Sequence, residues 1–340
     1  VTDSLYSGII SGDGNDNSGD YSAIGAGYQN TIVSGLSINA RHNFIGSGYQ
    51  NTINTTNGIL WGGFIGSGIN NSLVSYGFSG QSAIVGGTFN TINETASLGG
   101  SQSPSFIGGG GSNEILQTRY GAICGGQLNV IKTSNYSFIG GGYTNSISTG
   151  IRNTISGGYE NIVTGNNSTI GGGFQNEVSS ANSSIQGGAY AIADRATMRS
   201  YSGSKFGATN GSAQQVDFVL NNNTTNATAT NLFLDGSSAR LTIPSGKSLS
   251  ATINVSGISS TGAEACHYVR KVMIKNVGGT TSLVGAVSTI GTDVETSAGL
   301  DVTITADNTN DALDIKVTGL AATDMNWVCH VSGVEIAYAA

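Results

Sequence analysis

Two dipeptides, Cys266-His267 and Cys329-His330, are the residues of this 340-residue chain whose types point most directly to metal chemistry. A structural zinc site needs four converging Cys or His ligands. Neighbours in a strand point to opposite faces, so one dipeptide does not readily give both side chains to one ion. The reading is two buried cysteines acting as small apolar residues, with no metal site. No cofactor is expected either. The sequence has no Walker loop, no His-Glu-x-x-His and no Gly-x-Ser-x-Gly elbow with triad partners, and its glycine runs lack the Lys-Ser/Thr that completes a phosphate cradle.

Carboxylates come next, because glycoside cleavage typically uses two of them about 5–9.5 Å apart. Asp3, Asp13, Asp16 and Asp20 lie near the N-terminus, and Glu94, Glu114, Glu160 and Glu177 follow. Glu114 and Glu177 share a register, each directly after an Asn of the repeat described below. They stand four repeats apart, roughly 19 Å at about 4.8 Å per stacked coil. Glu160 precedes its Asn and points elsewhere. These are read as solvated edge residues, and no catalytic residue is assigned. Asp13-Gly14-Asn15-Asp16 begins like a calcium loop but lacks the spaced Glu that completes one, and reads as a polar turn. Trp61, Tyr76 and Phe78 are the contact candidates, since exposed aromatic faces stack on sugar rings and form rigid binding anchors. Tyr28, Tyr49, Tyr143 and Tyr159 recur at one register and read as a structural stack.

The elements that must carry these residues follow from a repeated phrase, Ile-Gly-Gly-Gly-Tyr-x-Asn-x-Ile. It starts at Ile24, Ile45, Ile65, Ile84, Ile107, Ile123, Ile139, Ile155 and Ile170, with degenerate copies at Ile10 and Ile185. Six residues after each clear Ile stands an Asn: Asn30, Asn51, Asn71, Asn90, Asn113, Asn129, Asn145, Asn161 and Asn176. Two further on stands an aliphatic residue, from Ile32 to Val178. Such a period means stacked coils, each unable to bury its apolar face alone. The two aliphatics read as inward residues on short strands, the glycines as a corner with positive φ, and the Asn as a ladder satisfying corner backbone groups. Early coils carry an extra apolar position (Ile38, Ile59, Phe78, Leu98) inside the insertions 35–43, 55–63, 75–81 and 95–105, read as a third strand or a protruding loop on one face.

Composition agrees. Charged residues make up 10% of the chain and Gly fills 53 positions, which disfavours helix. Net charge is −7 with no Lys/Arg cluster, so no nucleic-acid partner is expected. No apolar run is long enough for membrane insertion. Three Cys make no disulfide scaffold and fit assembly in a reducing cytoplasm. The start at Val1 rather than Met suggests a processed or excerpted piece. The expected organisation is a glycine-rich β-solenoid at 1–190, a polar neck at 191–230, and a β-sandwich, jelly-roll-like, at 231–340. In the last part Leu249, Ala251, Ile253 and Val255 alternate with polar residues, and 300–305 and 313–318 form a hairpin pattern. The fold class is therefore all-β. A 15-residue coil encloses little apolar volume, so three parallel rods sharing flanks, a homotrimer, are expected, with a monomeric single-stranded solenoid as the alternative.

Residues 190–340 carry a more specific signal. Phe218-Val219-Leu220, Thr224-Thr225-Asn226-Ala227-Thr228 and Leu232-Phe233-Leu234-Asp235-Gly236-Ser237-Ser238-Ala239-Arg240-Leu241 resemble the start of a domain common at the C-terminal tip of tailed-bacteriophage tail fibres. Val302-Thr303-Ile304-Thr305-Ala306-Asp307, Ala312-Leu313-Asp314-Ile315-Lys316-Val317-Thr318-Gly319 and Asn326-Trp327-Val328 resemble its end. Cys266 and Cys329 depart from that pattern, where small residues such as Ala are expected. The upstream coils are similar in style to the heads of trimeric bacterial adhesins and to glycine-rich fibre shafts. The resemblance implies a trimeric, non-enzymatic fibre of the virion, assembled in the host cytoplasm. It would bind a host surface receptor, glycan or protein, and join other tail proteins through a preceding N-terminal region. A polysaccharide-degrading tailspike is the alternative, and a bacterial trimeric adhesin the third reading.

Overall fold

The structure is a computed structural model that describes residues 5–34, 42–55, 59–75, 78–94 and 104–338. The chain is all-β, a solenoid of about 11 turns followed in its C-terminal part by antiparallel sheets. It divides into two compact units, Val1–Phe174 and Gln175–Ala340.

In the first unit each coil contributes two short strands. One ends on the repeat Ile, as in Phe138–Ile139, and pairs in parallel with its equivalent, Ile139 opposite Ile155. The other carries the aliphatic eight residues on, as in Ser146–Ser148, with Ile131 opposite Ile147. Both rows of aliphatics are fully buried and form the core. In the wider early coils a third row exists where the chain is described: Ile59–Leu60 pairs in parallel with Phe78–Ser79, and Leu60 is buried. Ile38 and Leu98 lie outside the described residues.

At the corner between the two rows sit the repeat Asn residues, all of them fully buried. From Asn15 through Asn145, each ladder Asn Oδ1 accepts both the backbone N–H and the side-chain amide of the next coil's Asn, at 2.9–3.2 Å. The amide nitrogen donates twice more: Asn145 Nδ2 reaches Gly141 O at 3.0 Å and Gly158 O at 2.9 Å. The corner glycine is required by close approach as well as by its φ of 93°. A Cβ on Gly142 would lie 2.1 Å from Gly158 O and 2.7 Å from Asn145 Nδ2.

The first coil is phased one residue earlier than expected. Ile9, not Ile10, pairs with Ile24, which makes Asn15 the first ladder residue and Asp13–Asp16 a solenoid corner. At the other end Ala191 takes the Asn position, and its N–H donates to Asn176 Oδ1 at 2.9 Å.

The second unit opens with more coil strands in parallel: Glu177–Val178 with Ile192–Ala193, and Ser184–Gly188 with Arg199–Ser202. Arg199–Ser202 then pairs antiparallel with Ala213–Thr224. From there the sheet runs through Met325–Ala337 and Lys247–Ser259 to Ala265–Val277. The expected hairpin is present as Asp301–Asp307 with Ala312–Thr318, and Thr230–Asn231 and Leu241–Thr242 extend this second sheet. Residues 213–224, read from sequence as part of a neck, instead form a 12-residue strand inside the first sheet with Val216, Phe218 and Leu220 buried. The Asp235 carboxylate closes the turn of the 232–241 phrase by accepting the N–H groups of Ser238, Ala239 and Ser237 at 2.8–2.9 Å. Those bonds hold its carboxyl well below the usual range.

One buried ion cluster sits within this unit. Glu335 has no exposed surface and accepts from Lys247 Nζ at 2.7 Å, Gln214 Nε2 at 2.9 Å, and Arg195 Nη2. Arg195 also donates to Asp194 Oδ1 at 2.9 Å and Thr242 O at 3.1 Å. Removing one partner of such a set leaves buried charge uncompensated.

Two stability changes are expected. Asn145→Asp keeps the shape but removes both donors and buries a charge; it should cost on the order of 2–4 kcal/mol in denaturant unfolding. Glu335→Ala should cost about 3–5 kcal/mol, because Arg195 and Lys247 stay buried. Unchanged midpoints would contradict these roles.

Candidate functional site

Of the three aromatic candidates, Trp61 is half exposed (50%) and directly follows the buried Leu60 of the third strand row. Tyr76 lies outside the described residues, and Phe78 is described only through its backbone in Phe78–Ser79. The recurrent tyrosines do stack on the outside of the solenoid. Tyr28 and Tyr49 lie 5.6 Å apart and 8° from parallel, and Tyr143 and Tyr159 lie 5.2 Å apart, continuing to Phe174. A second outward row stands one residue before the repeat Ile: Phe44 and Phe64 stack at 6.0 Å, and Phe106 and Phe138 occupy the same register, all partly exposed.

The carboxylates do not behave alike. Glu94 is buried, not solvated as its sequence context suggested, and Ser82 Oγ donates to its Oε1 at 2.6 Å. Its position at the end of Thr91–Glu94, opposite the buried Ser75, turns it inward. Glu114 and Glu177 are half-buried on separate coils, one in each unit. Cys266 and Cys329 point inward while His267 and His330 face out, as strand alternation requires. Burial pushes both thiols up from the ordinary value. Among the described residues no group of three or more His, Cys, Asp and Glu converges as a metal site.

A second polar row was missed from sequence. Two residues before each repeat Ile stands Ser, Asn or Gly, and the side chains there are buried. Ser22 Oγ accepts Asn43 N–H at 3.2 Å, Asn43 Oδ1 accepts Gly63 N–H at 2.8 Å, and Asn153 Oδ1 accepts Ser168 N–H at 3.0 Å. The sequence offers only a Ser, Asn or Gly at that offset, residue types that the composition of the chain already favours.

A concavity lies in the second unit. It has a volume of about 290 Å³ and is bounded by Gln186, Arg199, Ser200, Tyr201, Gln215 and Asp217. Strand 199–202 is parallel to 184–188 on one side and antiparallel to 213–224 on the other, with Arg199 opposite Asp217 and Tyr201 opposite Gln215. Alternation sends Arg199, Tyr201, Gln215 and Asp217 to one face and the buried Ser200 and Val216 to the other. The pairing with 184–188 slips between Ile185 and Gly188, a bulge that opens the surface beside Gln186. The Tyr201 ring lies over Gly188, where a Cβ would come within 3.0 Å of Tyr201 Cε2. Asp217 Oδ1 lies 3.2 Å from His330 Nε2. No hydrogen bond or ion pair engages the Arg199 guanidinium among the described residues.

No protein-family model and no curated protein matches the sequence. Among solved structures, the chain is similar to tailspike protein gp49 of Acinetobacter baumannii bacteriophage Fri1, a capsular polysaccharide depolymerase. Identity is 11%, with 94% of this chain and 70% of that one covered, and the TM-score is 0.26. The Acinetobacter baumannii phage AM24 tailspike protein gives 8% identity, 93% and 68% coverage, and a TM-score of 0.25. The tailspike of Acinetobacter phage vB_ApiP_P1 gives 12%, 93% and 76%, and 0.20. Likeness at this level carries no argument about function.

The thiols offer a direct check on the packing. Cys124 is exposed, so an alkylating reagent should label it in the native protein, while Cys266 and Cys329 react only after unfolding. Native labelling of Cys329, read by mass spectrometry, would contradict the described core.

Proposed function

We propose that this chain is a tail fibre of a tailed bacteriophage, a trimer in the virion that attaches to the host surface without cleaving it. The observation that carries the reading is the joining, in one chain, of a long repetitive β-solenoid to a unit of antiparallel sheets. The segments of that unit at 232–241 and 301–318 are the ones that resemble tail-fibre tips. The solenoid acts as the spacer and load-bearing part, and the second unit as the recognition part.

Trimerisation is supported by the outward Phe44, Phe64, Phe106 and Phe138 row, which one chain leaves partly exposed. With Ala83 and Ala122 on the intervening coils these residues make an apolar row on a thin stack, a surface that association buries. Attachment without hydrolysis is supported by the fate of the solenoid carboxylates. Glu94 is engaged by Ser82, and Glu114, Glu160 and Glu177 lie on different coils.

Sedimentation equilibrium should give three chains per particle, and Phe106→Asp should weaken the assembly. A stable folded single chain would overturn the fibre reading. Incubated with host cells and with purified capsular polysaccharide, the protein should be retained on cells and release no reducing ends. Release of reducing ends would favour the tailspike, and a gene neighbourhood of secreted-protein anchors the adhesin.

A further inference from the structure

We propose that the concavity bounded by Gln186, Arg199, Tyr201, Gln215 and Asp217 binds one neutral pyranose ring of a surface glycan; this rests on the attachment reading and supplies its ligand class.

The chemistry of the walls selects the ligand. Arg199 and the two carboxamides donate, Asp217 and the same carboxamides accept, and the exposed Tyr201 offers an aromatic ring. One guanidinium against one carboxylate leaves the cleft without net charge. An anionic ligand such as a phosphate or a uronate meets the Asp217 carboxylate in the site, on a chain already at −7. An apolar ligand would strip water from five polar side chains without replacing their hydrogen bonds. A peptide added as a β-strand finds no edge, because strand 199–202 is paired on both sides. A neutral sugar fits each constraint. Its C–H face lies on an aromatic ring, and adjacent hydroxyls donate to a carboxylate and accept from planar N–H donors.

Size agrees: about 290 Å³ lies just below the roughly 300–1,000 Å³ of pockets for drug-sized molecules, as suits a single sugar ring rather than a polymer. The walls are also held in place. Arg199, Tyr201, Gln215 and Asp217 sit on paired strands in fixed register, the Tyr201 ring is seated over Gly188, and His330 steadies one Asp217 oxygen and leaves Oδ2 for a ligand.

Saturation-transfer NMR on the full-length protein with glucose, galactose, mannose, N-acetylglucosamine, glucuronate and sialic acid tests the assignment. At least one neutral sugar should bind. Tyr201→Ala and the isosteric Asp217→Asn should each weaken it roughly tenfold, with unchanged melting midpoints. Trp61→Ala should leave it unaltered. The proposal is overturned if only the acidic sugars bind, if none of the six binds, or if both pocket variants bind as the parent does. Cell retention separates this from the attachment reading. Parent and Tyr201→Ala proteins retained equally on cells would sink the pocket and spare attachment. Neutral-sugar binding that both pocket variants weaken, in a protein that no host cell retains, would sink attachment and spare the pocket.

Discussion

The solenoid depends on one interaction, the carboxamide ladder at the corner of each coil. Most corner N–H groups bond the backbone of a neighbouring coil, as Tyr49 N–H does to Gly68 O, but the N–H of the ladder residue itself is met by a side chain, Asn51 N–H by Asn30 Oδ1, and an unpaired buried N–H is costly. Asn meets the need with one side chain. Its oxygen takes two donors from the next coil, and its nitrogen reaches a carbonyl four residues back and another one coil on. Asp has no donor, and Gln places its amide one methylene too far out. Because the ladder fixes the corner, the Ile on either side of it is delivered inward in every coil.

The same constraint explains where strain is tolerated. The residue just before the ladder Asn has positive φ in coil after coil, and after Gly14 in the first coil it is not glycine: Gln29, Gln50, Asn70, Phe89, Ser112, Leu128, Thr144 and Glu160 all fall between 52° and 57°. Left-handed backbone costs roughly 1–2 kcal/mol for an ordinary L-residue. It persists here because the hydrogen bonds on both sides over-determine the turn. Glycine is reserved for the position two residues earlier, where space as well as φ excludes a Cβ. The corner can therefore vary at the first position and hardly at the second, and this is what makes the repeat legible.

Legibility was accordingly uneven. The period, the inward aliphatics and the third strand row at Ile59–Leu60 follow from residue spacing, because each is a one-dimensional pattern repeated many times. Ile9 was missed in favour of Ile10, since both are Ile and only the parallel register tells them apart. The polar row two residues before each Ile mixes Ser, Asn and Gly, so it reads as composition until the hydrogen bonds are seen. Glu94 looked like an edge carboxylate because its burial depends on Ser82, twelve residues away and across the coil. Strand 213–224 was hidden because its apolar half, Val216 to Leu220, runs straight into Asn221–Asn223. The concavity beside Tyr201 had no sequence signal at all: its walls come from three strands of different parentage.

That last point ties architecture to recognition within the second unit. A parallel stack always ends on a strand with unpaired N–H and C=O groups, a template for unwanted pairing. Here strand 199–202 meets that problem by taking an antiparallel partner, 213–224. The partner is anchored from beneath, where Gln214 and Arg195 share the buried Glu335 carboxylate. Strand 199–202 is in register on both sides at Arg199, with Ser184 on the parallel side and Asp217 on the antiparallel side. The slip between Ile185 and Gly188 then breaks that alignment on the parallel side beside Gln186. The concavity lies at that break, next to the switch from parallel to antiparallel pairing. Arg199, Tyr201, Gln215 and Asp217 are the side chains that this change of pairing leaves facing open space.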